Sequence, residues 1–221
     1  MIVSNCIVID SNEAVDILKN LDLEPETLRE IVSKGQMARN SVTPNHPLTA
    51  AGTFVYHETV RAKRDTLLQR EWTKQSVSNC ELTAHPHKNM TISVSVGDNE
   101  TGNKLGNPKT KNQKGSQVEL LINGNGIQED MFTPSKNQAT PDIKDIECQN
   151  WILLYHHDRQ KDEVRLELSL PMSIGLNNKI DDWHYRIILD PIPLGTAHIE
   201  NYEPDYALET DITVERISNN E

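Results

Sequence analysis

The sequence predicts an α+β fold in which N-terminal helices pack on one face of a mainly antiparallel β-sheet. Up to about residue 75, apolar residues recur at helical spacing, as in Leu28, Ile31 and Val32. After Cys80 the period shortens to two, most clearly in Val164, Leu166, Leu168 and Leu170 with polar residues between. Helix signals thus come first and strand signals follow, the order of an α+β domain rather than of alternating βα units.

Ile7-Val8-Ile9 is a short first strand. Ser11 stands where a helix N-cap belongs, ahead of Ala14, Ile17, Leu18 and Leu21. A second helix starts at Pro25, with Glu24 and Glu26 beside its positive end, and Gly35 is expected to fray it. Residues 41–52, SVTPNHPLTAAG, form a turn. From Thr53 to Trp72 runs the strongest helical pattern, with Tyr56, Val60, Leu67, Leu68 and Trp72 on one side and Arg61, Lys63 and Arg64 elsewhere. Strands are expected at Glu81–Ala84, Thr91–Val96, Gln117–Ile122, Asn150–Tyr155, Glu163–Leu170 and Trp183–Leu189. The segments at Asn150–Tyr155 and Glu163–Leu170 form a hairpin, closed at the far end by Pro171. Trp151, Leu153, Leu166, Leu168, Trp183 and Ile187 are the expected core.

This organisation gives a single α+β domain over residues 1–195, with a helical part at 1–75 and a sheet part at 80–195. Residues 97–115 and 123–149, with few apolar side chains and many glycines, asparagines and prolines, are expected to be mobile loops, since they bury little to offset ordering entropy. Residues 196–221 read as an acidic tail with a weak strand signal at Ile212–Val214.

The formal net charge of -11 is unevenly spread. Residues 1–115 hold 14 basic and 13 acidic side chains, whereas 116–221 hold 8 and 20. The chain therefore presents one face acceptable to an anion within an acidic protein. Cys6, Cys80 and Cys148 are widely spaced with no CxxC pair, which argues against a disulfide framework and for a cytoplasmic protein. No segment is apolar enough to span a bilayer, and the first residues lack a secretory leader pattern.

The loop 97–115, GDNETGNKLGNPKTKNQKG, carries Lys104, Lys109, Lys111 and Lys114 after its last acidic residue, Glu100. With Arg61, Lys63 and Arg64 of the preceding helix, these are the candidate ligand-binding residues, and the expected ligand is nucleic acid or another phosphate-bearing partner. Glu58 and Asp65 flank Arg61 at helical spacing and compete for its charge. The loop is not a Walker A sequence and is not expected to lead into a helix.

His85-Pro-His87 and His156-His157-Asp158 are two histidine pairs, which would need to converge to hold a metal. Neither pair completes a ligand spacing, so no metal and no cofactor is expected. Pro141-Asp142 has no downstream Glu-x-Lys of the restriction-nuclease kind: Glu163-Val-Arg165 and Glu167-Leu-Ser169 lack the lysine. No Gly-x-Ser-x-Gly elbow occurs. The reading is a binding or accessory protein rather than an enzyme. Its rivals are a protein-interaction or assembly subunit and a metal-dependent hydrolase built on the four histidines.

Overall fold

The computed structural model of the chain describes residues 6–77, 79–125, 149–175 and 177–194. The acidic tail with Ile212–Val214, most of the excursion 123–149, Pro141-Asp142 and Cys148 lie outside the described residues.

The fold is α+β. Among the described residues, four α-helices, α1 (Ser11–Asn20), α2 (Pro25–Met37), α3 (Ala50–Leu68) and α4 (Ser116–Asn123), accompany a seven-stranded sheet. Its strands are β1 (Ile7–Ile9), β2 (Thr73–Val77), β3 (Cys80–Ala84), β4 (Met90–Val96), β5 (Gln149–Asp158), β6 (Glu163–Ile174) and β7 (Ile180–Pro193). They lie in the order β1-β7-β6-β5-β4-β3-β2. The sheet is mixed: β1 runs parallel to β7 and β4 parallel to β5, while the other neighbours are antiparallel. A parallel pair needs a long crossover, and the β4–β5 crossover contains the lysine loop and α4.

Alternation along β5 divides the core. Trp151, Leu153 and Tyr155 join Leu166, Leu168, Ile187 and residues of α1, α2 and α3 in one hydrophobic cluster. Ile152 and Leu154 join Ile122 of α4, Ile180 and Trp183 in a second. All six expected core residues are buried.

Several local expectations change. Asp10, not Ser11, caps α1, its carboxylate accepting the Ser11 N–H at 2.8 Å. Gly35 does not fray α2; it is buried where α2 meets α3, and a Cβ there would stand 1.9 Å from Thr59 Oγ1. The third helix starts at Ala50 and stops at Leu68, so Trp72 lies beyond it, after Glu71 at φ 65. The stretch expected as a strand at Gln117–Ile122 is helix α4. Val118 and Ile122, four residues apart, both pack in the second cluster. A short apolar run fits either period. Pro171 lies inside β6, at a break in register with β7, rather than closing the strand.

Candidate anion-facing surface

The loop after β4 is a closed structure. Gly97 bridges Thr110, and Asp98 N–H donates to Lys109 O at 3.0 Å, so the ends of 98–109 meet. Internal turns join Thr101 to Asp98, Asn103 to Glu100 and Gly106 to Asn103. Gly102 takes φ +71, and a Cβ there would meet Arg165 Cβ at 2.9 Å. Beneath it, Glu167 and Arg186 form a bidentate ion pair, with Nε to Oε1 at 3.0 Å and Nη2 to Oε2 at 2.6 Å. Their side chains are 0% and 2% exposed. Glu167 also accepts from Gly102 N–H and Ser169 Oγ, and Arg186 donates to Gly106 O and Asn103 O. Such a pair is stable in the interior because its remaining donors and acceptors are satisfied.

Glu167 sits between Leu166 and Leu168, which point to the helical cluster, so Glu167 and the loop lie on the opposite face from α3. The surface expected from the sequence, which joined Arg61, Lys63 and Arg64 to the loop lysines, is therefore split by the sheet.

On α3, Arg61 is exposed and held by Glu58 (2.6 Å) and Asp65 (2.7 Å). Arg64 pairs with Glu81 and reaches Ser76 on β2. Lys63 is no surface cation: it is 0% exposed, and its ammonium donates to Glu81 O (3.0 Å) and Ile92 O (2.6 Å). Burial pushes its pKa down to about 7, and Arg64 adds to the effect.

On the loop, Lys104 pairs with Asp10 at 3.0 Å and Lys109 approaches Asp181 at 3.8 Å. Lys114 donates to Ser95 Oγ at 2.8 Å. Lys111 is exposed and has no ion pair among the described residues. Thr110 N–H donates to Ile180 O at 3.0 Å, and Lys114 N–H donates to Asn178 O at 2.6 Å. These bonds lay Lys111 and Lys114 beside a lysine outside the set expected from the sequence, Lys179, also without an ion pair among the described residues. The loop does lead into a helix: Gly115 is the N-cap of α4, with no side-chain cap on its first N–H groups. Lys179 is invisible to a local reading because only the fold brings its turn to the loop.

One ring of each histidine pair, His85 and His156, has a local partner. The His85 ring packs edge-on against Trp72 at 4.7 Å; its Nδ1 accepts from His87 N–H and Lys88 N–H, and its Nε2 donates to Asp22 at 2.9 Å. Burial lowers the His85 pKa against the pull of Asp22. His156 Nδ1 lies 3.3 Å from Gly97 O, and burial lowers its pKa too. Among the described residues, no group of three or more His, Cys, Asp or Glu side chains is placed to hold a metal ion. Cys6 and Cys80 are free thiols, and burial raises both pKa values, Cys6 to about 11.

A cleft of about 680 Å³ lies between the end of α2 and α3, lined by Lys34, Met37, Phe54, His57 and Arg61 among others. No helix among the described residues is long and apolar enough to cross a membrane. Comparison with protein-family models, with curated proteins and with solved structures finds no match to this chain.

Proposed function

We propose that this is a cytoplasmic, non-enzymatic binding or accessory protein that engages a phosphate-bearing partner, nucleic acid foremost, through Lys111, Lys114 and Lys179. The observation that carries this reading is the pairing of the loop with residues 178–180. It gathers three lysines on adjoining backbone, two of them without carboxylate partners among the described residues. The first N–H groups of α4 follow directly and add partial positive charge. Arg61, Lys104 and Lys109 leave the proposed surface because carboxylates already neutralise them, and Lys63 leaves it because it is buried. The loop has no aromatic side chain, so binding would run through phosphates rather than stacked bases. Fluorescence anisotropy with DNA and RNA duplexes and single strands, with and without the three lysines, tests it.

A protein partner is the second reading, favoured by the α2–α3 cleft and by Met37 at its rim, 67% exposed. Pull-down with wild-type protein against a Met37→Glu variant separates it from the first, since that substitution leaves the lysines untouched.

A further inference from the structure

We propose that residues 98–109 form a strap that opens as a unit from the folded sheet, with the Glu167–Arg186 pair as its latch. The strap has the compact, closed-end form of an Ω-loop. Of its residues only Thr101 and Pro108 are buried, and its one large apolar side chain, Leu105, is 95% exposed. What holds it down is polar. Gly102, Asn103 and Gly106 bond to the latch, Asn99 O accepts from Arg165 at 2.7 Å, and Pro108 O accepts from Trp183 Nε1 at 2.9 Å.

That composition fixes how the strap leaves. The strap's own side chains bury little apolar surface, so the hydrophobic term they contribute opposes opening only weakly. Lifting the strap lets water reach a carboxylate, a guanidinium and the Ser169 hydroxyl, which regain the hydration that burial removes. The sheet beneath has no such option, because Leu166, Leu168 and Ile187 remain locked in the helical cluster. Segments with few apolar contacts are where native proteins open below the free energy of global unfolding. The base of the strap stays closed, because Thr110 and Lys111 bond independently to Ile180 O and Val96 O. The inference therefore does not depend on the proposed anion surface, which lies beyond that base.

Native-state hydrogen exchange of the full chain, followed through rising sub-denaturing guanidinium, tests it. The Gly102 amide, which donates to Glu167, should exchange through an opening with much shallower denaturant dependence than those of Leu153 and Leu168. Exchange of all three on one common curve, or an absence of protection at Gly102, would overturn the proposal. In the paired variant Glu167→Met/Arg186→Met, protection at Gly102 should fall at least about tenfold while Leu153 keeps its own. An equal fall in strap and sheet would make the pair a global staple instead. If that variant does not fold, the wild-type curves alone decide.

Discussion

Lys63 donates to Ile92 O at 2.6 Å, carrying an ammonium group from α3 into the sheet. The β3–β4 ladder pairs only Thr83 with Ile92 and Ala84 with Thr91, and Lys63 takes the Ile92 and Glu81 carbonyls where that ladder ends. Two carbonyls replace water around the ammonium, but they do not restore its full hydration, and burial holds its pKa at about 7.

The sign of the resulting pH dependence follows. The unfolded lysine keeps its proton to a pKa of about 10.4, whereas the folded one releases it near 7. Between these values the unfolded chain binds more protons, so stability should rise with pH. The burial penalty is complete below 7 and fades as pH climbs toward 10. Denaturant melts at pH 7 and 9 should show wild type gaining more than Lys63→Met, a comparison that cancels the titration of Cys6 and Cys80. Equal gains would mean that Lys63 is not buried as a titrating cation.

Gly35→Ala should destabilise the protein although alanine is the better helix former. The new methyl would stand 1.9 Å from Thr59 Oγ1 and 3.0 Å from Val55 O, so α2 and α3 must separate. Overpacking costs about 1–3 kcal/mol, which exceeds the gain in helix propensity of at most about 1 kcal/mol. A thermal midpoint at or above that of wild type would contradict this close approach.

Leu166 and Leu168 are fully buried and face the helical cluster. Truncating either to alanine should cost about 2–5 kcal/mol in equilibrium unfolding. A cost within about 0.5 kcal/mol at both positions would place them on the surface.

Arg61→Gln should leave DNA and RNA affinity unchanged, because Arg61 lies across the sheet from the loop and is held by Glu58 and Asp65. Anisotropy titrations against wild type check this. A weakening equal to that of the loop variants would restore α3 to the binding surface.

How much the sequence discloses depends on how local the cause is. Strands β4, β6 and β7 are legible because apolar residues alternate along them, as in Val164 to Leu170, and β5 by its apolar run at 151–155. That Glu167 and Ser169, between the apolar residues of β6, are also buried is not legible. Strand β2, Thr73–Val77, carries neither pattern: it is an edge strand whose five residues are all exposed. Val118 to Ile122 misleads because a short apolar run suits two periods, and the partner that decides is the far-off second cluster. Gly35 reads as a helix breaker until Thr59 is placed against it. The loop lysines are legible as charge, but their pairing is not. Asp10, Asp181 and Asn178 are brought to them only by the fold.

The proposed anion surface stands or falls on salt-dependent binding by Lys111, Lys114 and Lys179. Anisotropy of labelled DNA and RNA, titrated with wild type and with Lys111→Gln/Lys114→Gln/Lys179→Gln at two salt concentrations, measures it. Wild-type affinity should fall steeply as salt rises, since each neutralised phosphate releases counterions. The triple variant should bind more weakly, with a slope flatter by about one for each phosphate it no longer neutralises. No association at low salt, or a triple variant indistinguishable from wild type, would contradict the proposed surface and direct attention to the α2–α3 cleft and a protein partner.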